Sequence, residues 1–288
     1  MTRLAAVELG GTNALLALAE DGRVVDRRAL AVGAPGATLG AIAGELRRWN
    51  GEGAIEALGI ASFGPIRVDR QAPDHGRMLA TPKPGWSDAD VLGSLAAAVA
   101  GPAVIHTDVT AAALAEGQAG AARGCSDHVY MTVGTGVGIG VIAGGRPVVG
   151  AMHPEGGHLP VRRQSGDGFA GACPFHGDCL EGLVSGPALA ARCGGDPAVL
   201  GDDHPVWTPV ADALAEACAI LFTLLATQRI VIGGGVVRHR PWLIPAVAKR
   251  CGERLGVYLR FFAEDHLCAP HFPDAGLRGA LLLAEQAI

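Results

Sequence analysis

A strand, a glycine break and a second strand occur near the start of each half of this chain, and few folds accommodate that. In the first half Leu4-Ala5-Ala6-Val7 runs into Gly10-Gly11-Thr12 and then into the apolar run Ala14 to Ala19. In the second, His128 to Val133 runs into Gly134-Thr135-Gly136 and then into Val137 to Ala143. A further apolar run, Arg229 to Ile232, ends in Gly233-Gly234-Gly235. Apolar runs this short, bounded by glycines, are those of buried strands. No direct sequence repeat is evident. The likeness lies in layout, which predicts two related lobes, each opened by a glycine-broken hairpin, with a cleft between them.

The intervening segments supply helices. Asp21-Gly22 is a hairpin-turn signal before Val24-Val25, and Leu39, Ile42, Ala43, Leu46 and Trp49 fall at helical spacing over Thr38 to Trp49. A strand at Ala57 to Ala61, a Pro/Gly-rich loop from Gly64 to Gly85, a helix over Asp88 to Ala100, a strand at Ala103 to His106 and a helix from near Asp108 follow. After the second hairpin come a Gly144-Gly145 turn, a short strand at Pro147 to Val149 and an irregular stretch from Glu155 to Glu181. Helices are then expected around Ser185 to Cys193, Ala211 to Thr227 and Pro241 to Leu255, with a last one from Leu277. Strands alternating with helices give an α/β fold.

Composition narrows the class. With 49% hydrophobic and 18% charged residues the chain can bury a core and is not disordered. Its longest apolar stretch, Ala217 to Ala226, is about ten residues, short of the roughly 20 that a spanning helix needs, and the N-terminus lacks the apolar core of a secretory signal. A soluble, cytoplasmic protein with no membrane partner is expected. Seven scattered cysteines, an odd number, exclude a complete disulfide framework and favour reduced or metal-bound thiols. A net charge of −5 without basic clusters argues against nucleic acid as a partner.

Glycines at strand ends let backbone N–H groups approach phosphate oxygens, although each such turn taken singly is also an ordinary tight turn. No G-x-x-x-x-G-K-[ST] is present, and no G-x-G-x-x-G opens a helix with an acidic residue about twenty positions on, so neither a P-loop nor a Rossmann site is expected. Glu8 ends the first strand where alternation would place an apolar residue. It is either a solvated strand-end acid or a carboxylate that holds the waters of a Mg²⁺ beside the turn. Asp108 follows Ala103-Val104-Ile105 and precedes a helix, a position that suits a capping aspartate or, if aimed at a bound hydroxyl, a general base.

The sharpest signal is His158, Cys173, His176 and Cys179, spaced H-x14-C-x2-H-x2-C in a glycine-rich loop. Two thiolates and two imidazoles are a tetrahedral Zn²⁺ set, and four protein ligands close the shell, so the metal would be structural. The alternative is a coincidental cluster. His153 and Cys125 are spare donors of ordinary loop or core type. Glu155, His158 and Glu181 bracket the loop and suit recognition of a polyol through its hydroxyls.

Together these residues resemble the ROK family of sugar kinases and, within it, the bacterial zinc-containing fructokinase branch. The matching segments, in family order, are Glu8-Leu9-Gly10-Gly11-Thr12, Ser62-Phe63-Gly64-Pro65, Thr81-Pro82-Lys83-Pro84-Gly85-Trp86, Thr107-Asp108-Val109, Gly134-Thr135-Gly136-Val137-Gly138 and His153-Pro154-Glu155-Gly156-Gly157-His158. Cys173-Pro174-Phe175-His176-Gly177-Asp178-Cys179-Leu180-Glu181-Gly182, Ser185-Gly186-Pro187 and Gly233-Gly234-Gly235-Val236 complete the set. The Cys-Pro-x-His-Gly-Asp-Cys segment selects the fructokinase branch.

The resemblance implies an actin-like ATPase (ribonuclease H-like) fold whose two lobes enclose a nucleotide and sugar cleft. It implies a small lobe over residues 1–108, with the helix 277–288 packing back on it, and a large lobe over 109–276 carrying the zinc loop 155–181. It further implies that Asp108 takes the proton of the fructose hydroxyl that attacks MgATP, giving fructose 6-phosphate. Glu155, His158 and Glu181 would then hold the sugar. The nucleotide would lie against Glu8, Gly10, Gly11, Thr12, Thr135, Gly136, Pro187, Gly234 and Gly235, and closure of the lobes would exclude water. A homodimer is implied as well. Two positions depart from the family pattern: Asn13 stands where a lysine is usual, which removes a positive charge near the phosphates, and Thr110 replaces an asparagine. A broader hexokinase acting on mannose or glucose, and a non-catalytic sugar-binding protein, are the competing expectations.

Overall fold

The first glycine break closes a hairpin. In the computed structural model, which describes residues 1–259 and 264–288, β1 (Arg3–Leu9) and β2 (Asn13–Glu20) pair antiparallel with Leu9 opposite Ala14. β3 (Arg23–Ala31) extends the sheet beyond the Asp21-Gly22 turn. The chain then forms α1 (Pro35–Glu52), β4 (Ala57–Ser62), α2 (Val91–Ala96), β5 (Ala103–Thr107) and α3 (Asp108–Ala119). With β4 parallel to β1 and β5 parallel to β4, the five-stranded order is β3-β2-β1-β4-β5.

The second hairpin, β6 (His128–Val133) and β7 (Val137–Ala143), repeats the plan, with β8 at Arg146–Pro147. Then come α4 (Leu180–Val184), α5 (Gly186–Cys193), α6 (Trp207–Leu225), β9 (Arg229–Gly233), α7 (Gly235–Arg238), α8 (Leu243–Leu255) and β10 (Leu267–Cys268). β9 runs parallel to β6 just as β4 does to β1, and the second sheet is ordered β10-β9-β6-β7-β8. The chain ends in α9 (Ala275–Glu285).

Two compact units result, and neither is continuous. One comprises Met1–Ala115, Pro147–Pro154 and Phe272–Ile288; the other comprises Glu116–Arg146 and Glu155–His271. The first unit thus runs past the expected boundary at Asp108, because Ala111 of α3 is buried with Leu277, Ala280 and Leu283 of α9. The expected strand at Pro147 to Val149 shortens to Arg146–Pro147, since the chain beyond it returns to the first unit. There Ile66 N–H donates to His153 Nε2 (3.2 Å) and Arg67 Nη1 donates to the Ala151 carbonyl (3.2 Å).

Alternation along β1 sets the two faces of the first sheet. Ala5, Val7 and Leu9 pack with Ile42, Leu46 and Trp49 of α1. Ala6 packs with Ala17, Ala61 and α9, and Leu4 with Ala57 and Ala284. Small residues let α9 lie directly on the strands: a methyl built on Gly59 would fall 1.8 Å from the Ala280 carbonyl oxygen. Gly59→Ala should therefore destabilise the protein by about 1–3 kcal/mol, the usual range for overpacking. An unchanged melting temperature would mean that α9 does not approach so closely.

Two helices differ from their expected spans. α2 covers only part of Asp88 to Ala100, because Asp88 takes a left-handed backbone (φ 63°) and the Asp90 carboxylate caps the helix by accepting from Gly93 N–H (2.9 Å). α6 begins at Trp207 rather than Ala211 and has 19 residues with a mean hydropathy of 1.6 over its most apolar window. By length and composition it is long enough to cross a membrane, contrary to the ten-residue stretch seen in the sequence. Yet 61% of that window is buried, and α8 packs along it.

Candidate active site

In the first unit the period of β1 directs Glu8 to the same face as Leu4 and Ala6, the face covered by α9. Its carboxylate meets the first turn of that helix: Leu277 N–H donates to it, and a methyl on Gly276 would lie 2.4 Å from Oε1. Burial, then the charge of Asp108 and more weakly that of Asp274, push the Glu8 carboxyl up to about 7, against the Leu277 hydrogen bond. Glu8 and Asp108 thus face each other closely enough to repel.

The sign of this coupling is testable. The folded chain keeps a proton on Glu8 that the unfolded chain releases near 4.5, so Glu8 subtracts stability as pH rises from there to about 7. Relative to wild type, Glu8→Gln should gain melting temperature progressively from about pH 5 to pH 8. Parallel melting curves across that range would show that ionised Glu8 carries no penalty.

Asp108 opens α3, and its Oδ1 accepts from Val109 N–H (2.8 Å). The cap itself is Thr107, whose Oγ1 accepts from Thr110 N–H (3.3 Å) and lies 2.7 Å from Thr110 Oγ1. Thr110 therefore serves the start of α3 through a hydroxyl pair. Beside it His106 is buried; its Nδ1 accepts from Thr107 N–H (2.9 Å) and burial lowers its pKa to about 4. Within the Gly10-Gly11-Thr12 turn, Gly10 N–H donates to the Asn13 carbonyl (3.0 Å) and Val32 N–H to the Thr12 carbonyl (2.8 Å). Among the described residues, the Gly11 and Thr12 N–H groups have no acceptor.

The second unit gathers its own predicted residues. Gly186 N–H donates to the Gly134 carbonyl (2.7 Å), which brings Pro187 and the start of α5 to the Gly134-Thr135-Gly136 turn. A methyl on Gly134 would lie 3.8 Å from the Gly235 nitrogen, so the third glycine turn adjoins the second. Gly234 has φ 91°, and a methyl there would fall 2.3 Å from the Val133 carbonyl oxygen; only glycine fits. Glu181, in the first turn of α4, accepts from Val137 N–H (3.0 Å) through Oε2. Burial, and next the charge of Glu181, raise the Glu155 carboxyl to about 7, which makes these two acids neighbours.

His158, Cys173, His176 and Cys179 converge, with one ligand atom from each lying within 4.8 Å of all the others. A short 3₁₀ turn, Gly156–His158, presents the first. A tight turn with reciprocal Cys173 and Gly177 backbone hydrogen bonds (3.1 and 3.0 Å) presents the rest, with Gly177 at φ 59°. The Sγ–Nδ1 separations are 3.7 Å (Cys173–His158), 3.8 Å (Cys173–His176) and 3.5 Å (Cys179–His158). Zn–S and Zn–N bonds of ordinary length at tetrahedral angles give S···N edges of about 3.5 Å, so the set fits that cation. Burial pushes the metal-free Cys179 thiol up to about 11.

The family model for ROK matches residues 4–287. The chain belongs to the ROK family. Among curated relatives, this ROK protein is 38% identical over 288 residues to a fructokinase of Pediococcus pentosaceus, covering 99% of this chain and 98% of that one. It is 36% identical over 292 residues to a putative fructokinase of Bacillus subtilis (strain 168), with 99% and 96% covered. Among solved structures, a ROK hexokinase from Thermus thermophilus superposes with a TM-score of 0.79 at 25% identity, with 99% and 98% covered. The ROK protein accordingly has the actin-like ATPase fold that its two hairpin-led sheets suggest.

Proposed function

We propose that this ROK protein is an ATP-dependent fructokinase that converts D-fructose and MgATP to D-fructose 6-phosphate, MgADP and a proton. The observation that carries the reading is its likeness to fructokinases over nearly the whole chain. Asp108 accepts the proton of the attacking sugar hydroxyl as the new O–P bond forms and the β,γ-bridging oxygen departs with ADP. Glu155, His158 and Glu181 hold the other sugar hydroxyls, and the raised Glu155 carboxyl is readily drawn into its ionised, hydrogen-bond-accepting form by donors that face it. The phosphates lie against the glycine turns at Gly10, Gly11 and Thr12, at Thr135 and Gly136, and at Gly234 and Gly235, with Pro187 beside the nucleotide and Glu8 on the waters of the magnesium. A structural Zn²⁺ held by His158, Cys173, His176 and Cys179 would stiffen the loop that carries the sugar ligands. The reading includes a cytoplasmic homodimer, the latter checked by sedimentation.

A coupled ADP-release assay over fructose, mannose and glucose tests the proposal. Fructose should give the highest kcat/KM, with the phosphate on O6 by NMR. Comparable values for mannose or glucose would establish the broader hexokinase. Sugar binding without ADP release above background would replace the kinase by a non-catalytic sugar-binding protein.

A further inference from the structure

Of the 23 lysines and arginines, only Lys83 and Lys249 are lysines, and Lys83 is aimed at a glycine turn. Its Nζ donates to the Gly11 carbonyl. Its course there is fixed by neighbours. Pro82 and Pro84 flank it, and a residue that precedes proline is held extended. Trp86 N–H donates to the Lys83 carbonyl (3.2 Å). The Trp86 ring is fully buried, with its Nε1–H on the Gly33 carbonyl (2.9 Å). Phe63 stands edge-on to Trp86 at 5.0 Å between centroids, and the Lys83 ammonium lies 5.9 Å from the Phe63 centroid. Phe63 N–H in turn donates to the Leu9 carbonyl (2.7 Å), at the end of β1.

The electrostatics of the turn call for such a cation. Residues 10–13 are Gly, Gly, Thr and Asn and supply no positive charge, while Glu8 and Asp108 lie close by and repel each other. Among the described residues no carboxylate pairs with Lys83. Its ammonium donates to a neutral carbonyl, a partner it can exchange for an anion. The Gly11 and Thr12 N–H groups have no acceptor among the described residues, and a methyl on Gly11 would meet nothing within 4 Å. An ammonium and open space therefore adjoin a turn whose Gly11 and Thr12 N–H groups lack acceptors among the described residues, the components of sites that bind phosphate through backbone and lysine together.

We propose that Lys83 is a phosphate-contacting residue, whose ammonium leaves the Gly11 carbonyl to bind the terminal phosphoryl group of ATP. This rests on the kinase reading. Lys83 supplies positive charge to the equatorial oxygens during transfer. A lysine suits this better than an arginine, because its compact charge on a flexible stem can change partners.

The test compares wild type with Lys83→Met, Lys83→Gln and Lys83→Arg by calorimetric titration with MgAMP-PNP and with MgADP, and by steady-state kinetics. In the Met and Gln variants the affinity for MgAMP-PNP should fall about 10- to 100-fold, the range for one hydrogen bond to a charged group. MgADP affinity and the KM for fructose should stay within about threefold, and Arg should restore part of the loss. Equal losses for both nucleotides would overturn the proposal and make Lys83 a strut between loop and turn. A change confined to the KM for fructose would overturn it in favour of a sugar contact. A wild type that releases no ADP, yet loses its preference for MgAMP-PNP on Lys83→Met, would sustain the phosphate contact while removing the kinase reading.

Discussion

Replacing Asp108 with asparagine should lower kcat about 10²–10⁴-fold, the usual contribution of a general base, and leave the fold intact. Asp108 begins α3 without being its cap. Thr107 accepts from Thr110 N–H as the cap, and Asp108 Oδ1 accepts from the neighbouring Val109 N–H. The asparagine keeps an oxygen for that bond and removes the ability to take a proton. It also removes the charge that helps raise the Glu8 carboxyl, so the melting temperature near neutral pH should hold or rise. A kcat within a few fold of wild type would exclude Asp108 as the base, and a collapsed melting temperature would assign it to the framework.

The second large effect should come from the His/Cys quartet. Protein prepared without chelators should carry one zinc per chain, and Cys173→Ser or Cys179→Ser should abolish it. Loss of a metal is among the few single changes that cost more than about 3 kcal/mol, and both thiols are buried, at 7% and 3% exposure. The cost should reach function too. Glu155 lies next to the 3₁₀ turn that ends in His158, and Glu181 follows Cys179 by two residues, so the KM for fructose should rise in the same variants. A wild-type zinc content well below one per chain would remove the four-ligand centre altogether.

The parts of this molecule that were legible in sequence are those written in local periods. The paired hairpins could be located because apolar runs stop at Gly10, Gly134 and Gly233, and the quartet because three of its donors come from one tight turn. What escaped was non-local. Nothing near Ala111 announces that it is covered by α9, and the first unit runs on to Ala115, past the boundary that the sequence suggests at Asp108. The return of Pro147–Pro154 depends on His153, which as a lone histidine has no period to mark it. α2 is shorter than its apparent helical stretch because Asp90, inside that stretch, is its cap. In the sequence Lys83 stands only within a motif, since its partner at Gly11 lies far away along the chain.

The discontinuity of the first unit also bears on how the protein is made. Ala6, Ala61 and Ala111 are covered by a helix that leaves the ribosome only after the whole second unit has been synthesised. Until then that side of the first sheet stands without its lid, on strands whose small side chains give little surface for another segment to grip. A nascent chain arrested before Phe272 should therefore be handled by the cell as an unfinished protein, however complete its second unit. Fusions and truncations at the C-terminal end act on the earliest-made part of the fold.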